Sequence, residues 1–384
     1  MNQLVHGSGC LEIIRNPNLN IMQIISGRGV NGALVYCKML CEQLMERGHR
    51  VTLVCRENSW MSENVDSSKV QIIESSLEKF SPSELKRMSS LARKHRIDLI
   101  HTHMTRGQNF GVMLKLMTGI PVVATAHNRL FQLHWNLNDF VIANSQATFD
   151  YHARINRIPA SRMEVVYCCS DLERLTHVNS DQAMAIRENL RVKQDQFLIG
   201  MIGEFATRKG QIHLIRALPR ILKEVPDARV VLLGRFGRRQ AHVKKIRRFI
   251  LENNLAGVAK WLGRKSNVAQ YMTACDVTVV PSLEEPLGLV AIESLMAKTP
   301  VVASRTGGLK EVVIDGQTGL LVPPGDENAI AAAVIRLAKD KGLREQLSQN
   351  GYEHVCKTFA PSNLIDQVAD IYQRILSKTG RLAA

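Results

Sequence analysis

VTVVPSLEEPLGLVAIESLMA, from Val277 to Ala297, reads as a strand, a turn and a helix. Its first four residues are apolar or β-branched and stop at Pro281, as a strand buried on both faces does. LVAIESLMA, from Leu289, has the pattern of a helix, which leaves Leu283 to Leu287 as the turn. A short apolar strand feeding a helix is the repeating unit of a parallel α/β sheet. The unit recurs along the chain. The first half gives strands at IMQIIS (from Ile21), RVTLVC (from Arg50), VQIIE (from Val70), DLIHTH (from Asp98), PVVATAH (from Pro121), FVIANS (from Phe140) and MEVVYC (from Met163). Helical segments lie between them. One, Ala33 to Arg47, carries Leu34, Cys37, Cys41 and Leu44 on one stripe and stops at Gly48, a C-terminal cap. Asp171 to Gln196 is polar and irregular, with one short helical stretch. A second series follows: FLIGMIG (from Phe197), ARVVLLG (from Ala228), VAKWLG (from Val258), VTVVPS, PVVAS (from Pro300) and GLLVPP (from Gly319). The expectation is α/β, with two Rossmann-like domains, 1–175 and 176–360, facing a deep cleft at the C-terminal ends of their strands. Segment 361–384 holds a last helix, Pro361 to Ser377, for which a return to the N-terminal domain is one destination.

Composition narrows the function. The 384 residues are 45% hydrophobic and 22% charged, which suits a globular protein of two domains. No apolar run reaches the roughly 18 residues of a membrane span. The first residues lack a basic start followed by an apolar stretch, so no signal peptide is expected; Ser8-Gly9-Cys10 lacks the apolar segment a lipoprotein site requires. The 8 cysteines are scattered, without CxxC or zinc spacing, and read as small buried hydrophobes in a reducing, cytoplasmic compartment. The net charge of +15 attracts anions, whether nucleic acid, acidic lipid or phosphorylated substrate. Aromatic content of 5%, with no aromatic–basic interleaving, leaves few residues for base stacking.

Glu285 and Glu293 stand with seven residues between them in an otherwise apolar segment. Gly288 opens the helix, where its backbone can approach a ligand, and the first N–H groups of a helix suit a phosphate. Glu293 falls about 7 Å along the axis. Two carboxylates could then hold hydroxyls on either side of a diphosphate, the layout of a nucleotide-sugar. An acidic helix start and an ordinary surface glutamate explain the pair equally well in isolation. Arg208 and Lys209 follow the first strand of the second domain, where cations can neutralise a leaving diphosphate. Thr306-Gly307-Gly308 is a tight turn at the same rim. In the first domain SGRGVNGA, with Gly27, Gly29 and Gly32, is a glycine-rich bend. No acid ends the next strand, so NAD binding is not expected, although a ligand can reach such a backbone. His127 ends its strand at the cleft; His101 and His103 share one face and read as hydrogen-bonded structural histidines. No Asp-x-Asp occurs, and no metal is expected. The helix from Arg239 to Asn253 turns Val243, Ile246 and Ile250 inward and its cations outward, either to water or to acidic lipid.

Taken together, these segments resemble the family-4 retaining glycosyltransferases of the GT-B fold over nearly the whole chain. GVNGALVYCKMLCEQLMERGHRVTLV resembles the family's glycine loop, helix and strand. DLIHTH, PVVATAH and FVIANS resemble its histidine and "ANS" strands, and GEFATRKG its phosphate-binding segment. PSLEEPLGLVAIESLMAKTPVVAS with TGGLKEVVIDGQTGLLVPPGD resembles its Glu-x7-Glu region. The resemblance implies Glu285, Lys209 and His127 as catalytic residues, with Glu285 on the donor sugar and Lys209 on the diphosphate. It implies Arg208, Gly203, Gly288, Leu289 and Glu293 as donor-binding, with Glu293 on the ribose. Gly29, Asn31 and Gly32 become the acceptor or donor loop. The implied reaction needs no metal or cofactor, uses a nucleotide-sugar (a UDP-sugar first), and serves a glycan or lipid-linked acceptor in surface polysaccharide or lipopolysaccharide synthesis, with an anionic membrane surface as a further partner and no nucleic acid. Three positions depart from the family pattern: Glu204 stands where an Arg is usual, Cys168-Cys169-Ser170 precedes Asp171 in place of Asn-Gly, and Pro286-Leu287 replaces Gly-Phe. A non-catalytic relative, a basic RNA-binding protein and a nucleotide-sugar epimerase of the same shape remain open alternatives. Base recognition is expected from the loops near Phe236 and Gly263.

Overall fold

The computed structural model describes residues 18–78, 81–169, 172–236 and 240–380. Ser8-Gly9-Cys10, the turn at Ser170–Asp171 and the Arg239 start of the basic helix lie outside them.

The first sheet holds β1 (Asn20–Ile25), β2 (Arg50–Arg56), β3 (Gln71–Ser75), β4 (Leu99–His103), β5 (Val122–Ala126), β6 (Phe140–Ala143) and β7 (Met163–Val165), in the order β3-β2-β1-β4-β5-β6-β7. The second holds β8 (Leu198–Ile202), β9 (Arg229–Leu233), β10 (Ala259–Gly263), β11 (Val277–Val280), β12 (Val301–Ser304) and β13 (Gly319–Val322), in the order β10-β9-β8-β11-β12-β13. Every pairing is parallel. Each sheet reverses direction once, at β1/β4 and at β8/β11, and crevices open at such switch points.

All the apolar runs read as strands are strands, because each is too short for a helix and rich in apolar or β-branched residues; β4, β5 and β6 are buried throughout, while β3, at the sheet edge, exposes Gln71 and Glu74. The helix Gly32–Glu46 starts on Asn31, whose side chain accepts from the Ala33 and Leu34 N–H groups. It stops as expected: Gly48, at φ 88°, donates to the Met45 carbonyl and His49 to that of Leu44. Leu34, Cys37, Cys41 and Leu44 are fully buried. Between β7 and β8 the structure has two helical pieces, Glu173–Thr176 and Ser180–Asn189, where the sequence pattern suggests one. The four-residue piece is a single turn, too short to leave a periodic signal. In the helix Gln240–Glu252, Val243 and Ile246 are buried, while the Arg247 guanidinium covers the rings of Phe236 and Trp261.

The last helix, Pro361–Lys378, crosses to the first domain. Arg47 Nε donates to Asp366 Oδ1 at 2.6 Å, and Arg374 pairs with Glu164. Tyr372, fully buried, meets Gln23 and His101. No helix among the described residues is long and apolar enough to cross a membrane.

Candidate active site

Strands β8 and β11 are neighbours, so the loops leaving their C-terminal ends meet. The first loop tightens into a 3-10 turn, Thr207–Lys209, and Gly210 follows at φ 69°. A Cβ on Gly210 would lie 1.9 Å from the Pro281 carbonyl oxygen. The Leu283 N–H donates to the Arg208 carbonyl at 2.7 Å and ties the second loop to the first. Lys209 Nζ thereby donates to Glu285 Oε2 at 2.5 Å, and Ser282 Oγ donates to the same oxygen at 3.0 Å. Glu285 is only 7% exposed. Burial works to raise its pKa, but the charge and hydrogen bond of Lys209, helped by Arg208 and Ser282, outweigh it and hold the carboxyl below its ordinary value. The group is ionised at neutral pH.

The Gly308 N–H donates to the Glu285 carbonyl at 3.1 Å, so the Thr306-Gly307-Gly308 turn braces this segment. Gly288, at φ 106°, bends the chain into the helix Leu289–Met296, whose first N–H groups carry partial positive charge at the cleft. Glu293 lies one turn further on and also lines the cleft.

The opposite wall belongs to the first sheet. Gln23 Nε2 donates to the Tyr372 hydroxyl at 3.2 Å, and that hydroxyl lies 2.5 Å from His101 Nδ1. Gln23 Oε1 must then accept, so His103 Nε2, 2.9 Å away, carries a proton. Neutral His103 leaves Nδ1 to accept from His127 Nε2 at 3.1 Å. The remaining nitrogen of His127, Nδ1, stands 3.8 Å from the Cys168 thiol. Burial pushes His101 and His127 down to about 3 and His103 well below 6.5, so all three are neutral near pH 7.

Both walls enclose a cleft of about 1400 Å³. Arg129 Nη2 lies 3.4 Å from Glu284 Oε1, and Ser145 Oγ donates to the Pro286 carbonyl at 2.6 Å. Glu311 accepts from the Gln146 and Ala147 N–H groups at the start of the helix Gln146–Arg154, at 2.7 and 3.0 Å. A Cβ on Gly32 would come 2.5 Å from Leu289 Cδ1, and one on Gly29 would come 3.0 Å from Arg235 Nη1. The glycine loop thus meets the start of the Glu293 helix across the cleft.

The family model for glycosyl transferases group 1 matches residues 183–354, and that for Glycosyltransferase Family 4 matches residues 30–174. An uncharacterized glycosyltransferase of Methanocaldococcus jannaschii, MJ1178, is 30% identical over 292 residues, 73% of this chain and 76% of that protein. The chain belongs to the group 1 glycosyltransferases. The lipopolysaccharide core biosynthesis glycosyltransferase LpsD of Rhizobium meliloti is 32% identical over 192 residues, 50% of this chain and 54% of that protein. Among solved structures, HepE of Anabaena, in complex with UDP and glucose, superposes with a TM-score of 0.85 at 22% identity, covering 93% of this chain and all of that one. The fold is GT-B, and the family decides for the glycosyltransferase among the readings left open above.

The glycosyltransferase brings Lys209, Glu285, Gly288, Leu289, Glu293, His127, Arg208, Gly203, Asn31 and Gly32 to one cleft. Gly29 reaches it through Arg235. Asn31 Oδ1 is occupied as the helix cap, and His127 Nε2 is spent on His103. Glu204 pairs with Arg235 at 3.5 Å, so the acid standing where the family has Arg is met by an arginine from the next strand end. Sequence reasoning missed Ser282, Arg129 and Arg235. Arg235 follows β9 just as Arg208 and Lys209 follow β8, and the same strand-end rule finds it. Gly210→Ala in this glycosyltransferase is expected to cost at least about 2 kcal/mol, from a left-handed φ and a collision with backbone. Donor turnover should fall more than about tenfold with it; thermal unfolding and nucleotide release check both.

Proposed function

We propose that this glycosyltransferase is a retaining, metal-independent enzyme that moves a sugar from a UDP-sugar to a glycan or lipid-linked acceptor in surface polysaccharide or lipopolysaccharide synthesis. The Lys209–Glu285 pair beside the Leu289–Met296 helix start carries the reading. Glu285 would accept from donor-sugar hydroxyls and Glu293 from the ribose. Lys209, Arg208 and the helix N–H groups would neutralise the departing diphosphate, the task a metal ion performs elsewhere. Gly203 would let the chain pass close to the phosphates, and the loops near Phe236 and Gly263 would meet the base. The bond from anomeric carbon to diphosphate oxygen breaks as the acceptor oxygen bonds to that carbon on the same face. The acceptor proton passes to the leaving phosphate. His127, held neutral with a pKa of about 3, is too weak a base to take it at pH 7 and would instead orient the sugar.

The UDP donor is favoured by the likeness to HepE, solved with UDP and glucose, and the surface-glycan acceptor by the likeness to LpsD. Cytoplasmic action fits the free thiols of the described cysteines. Peripheral membrane contact is supported by Leu116, Phe131, Leu133 and Leu137, each more than half exposed, on segments that touch one another. In calorimetry, UDP should bind more tightly than GDP or ADP. Glu293→Ala should weaken UDP at least about tenfold, the worth of a charged hydrogen bond. Product with inverted configuration, activity abolished by EDTA, or no binding of any of the three nucleotides would overturn the reading.

A further inference from the structure

Arg28, Arg56 and Arg106 come from three separate stretches of sequence. Arg28 lies in the loop after β1, Arg56 ends β2, and Arg106 is in the first turn of the helix Met104–Thr118 that follows β4. The strand order β2-β1-β4 therefore brings all three to one edge of the first sheet. Local contacts close the group. The Trp60 N–H donates to the Arg28 carbonyl at 2.8 Å, and a Cβ on Gly27 would lie 3.1 Å from Met104 Sδ. Val30, Trp60 and Met104, each within four residues of one of these arginines, line the cleft.

Nothing among the described residues neutralises the group. Arginines elsewhere form ion pairs, as Arg47, Arg129, Arg187 and Arg235 do, but none of these three pairs with a carboxylate there. Arg56 Nε is shielded from water and has no acceptor. Burial, then the charges of Arg28 and Arg106, lower the Arg56 pKa, and Glu57 and Glu78 oppose them only in part. The helix Met104–Thr118 starts without a side-chain cap and without an acid in its first turn; it has Arg106 there instead, a cation at the positive end of the dipole. Arg28 and Arg106 are exposed, so water screens their repulsion, yet an anion joining the three would meet guanidinium groups and the free N–H groups of an uncapped helix start together.

We propose that Arg28, Arg56 and Arg106, with the start of the helix Met104–Thr118, form a site for a phosphate group of the acceptor, on the first-domain side of the cleft. The inference deepens the proposed function: the acceptor is a phosphorylated or diphosphate-linked molecule, and this site holds its phosphate while its hydroxyl reaches the donor sugar at Glu285. Guanidinium forks suit phosphate oxygens in pairs, and three of them account for an acceptor of more than one negative charge.

The test is calorimetric titration of inorganic pyrophosphate into the full chain already saturated with UDP, so that the donor phosphate site is filled. One further pyrophosphate should bind per chain. Arg28→Gln, Arg56→Gln and Arg106→Gln should each weaken it about tenfold or more while leaving UDP affinity within about twofold. Arg56→Lys should recover part of the loss. In phosphate-free buffer Arg106→Gln should melt higher than the parent, because a repelled cation has been removed, and pyrophosphate should no longer raise its melting temperature. Co-sedimentation with vesicles of anionic phospholipid separates the sources. Loss of vesicle binding in the triple variant assigns a lipid phosphate, whereas unchanged vesicle binding alongside lost pyrophosphate binding assigns a water-soluble phosphorylated acceptor. Pyrophosphate binding equal in parent and triple variant, or a fall in the melting temperature of Arg106→Gln, overturns the site. Failure of UDP itself to bind would instead count against the donor reading.

Discussion

Glu285→Gln is expected to lower donor turnover at least about a hundredfold, and Lys209→Met by a similar factor, because each removes a charge set where the transition state develops its own. The pair also has a structural share that can be measured separately. Lys209 and Glu285 are mostly enclosed, with 16% and 9% of their side chains exposed. Removing one partner leaves the other as an uncompensated charge and is expected to cost about 3–5 kcal/mol. Replacing both removes that penalty, so the double variant should be more stable than either single one. Its activity should not recover, since neither the sugar contact nor the diphosphate cation returns. Unfolding curves and nucleotide-release assays on the four proteins of the cycle decide the matter. A double variant that regains activity along with stability would make the pair a purely structural brace.

Acidification is expected to destabilise the protein from about pH 6.5 downward, before ordinary carboxylates titrate. His101, His103 and His127 are all held neutral, two of them at about 3. Their hydrogen bonds form one sequence from Tyr372 through Gln23 to Cys168, in which His103, donating to Gln23 and accepting from His127, has no room for a second ring proton. An unfolded histidine takes up its proton near 6.5. Between 6.5 and about 3 the unfolded chain therefore binds more protons than the folded one, and stability falls as pH falls. One such group contributes ~1.4 kcal/mol per pH unit and three together ~4 kcal/mol per pH unit. Against a net stability of roughly 5–15 kcal/mol, a loss of ~4 kcal/mol per pH unit below 6.5 puts the centre of unfolding between about pH 3 and 5.3. Glu285 adds to the loss only lower down: its depressed pKa gives stability above the ordinary carboxylate range that disappears as pH falls through the folded value. Melting temperatures across pH 4–8, with proton uptake on unfolding at pH 5, test this. A melting temperature at pH 5 equal to that at pH 8 would show that the histidines protonate in place. Over pH 6–8, activity should show no inflection from His127.

The two expectations draw on different kinds of information. The sequence by itself determined the elements. Short β-branched runs locate the strands, Gly48 ends its helix, and the turn from Leu283 to Leu287 presents Glu285 at the start of the helix that carries Glu293. Each of these signals acts over a few residues, through side-chain periodicity and backbone φ, and is written where it acts. Membership in the family was legible for the same reason, since its motifs are strand ends and turns.

The tertiary structure alone decided the partners. Lys209 and Glu285 are 76 positions apart and meet because β8 lies beside β11, an adjacency that no local pattern states. Glu204, which reads as an unfavourable acid, acquires Arg235 from the neighbouring strand. Tyr372, 271 positions from His101, fixes the histidine protons only because the last helix returns to the first sheet. Arg28, Arg56 and Arg106 look like ordinary surface cations until the order β2-β1-β4 brings them together. Strand order and the return of the last helix are set by the sum of many burial contacts across the core, none of them individually specific, so charges that depend on that order find their partners only in the folded molecule.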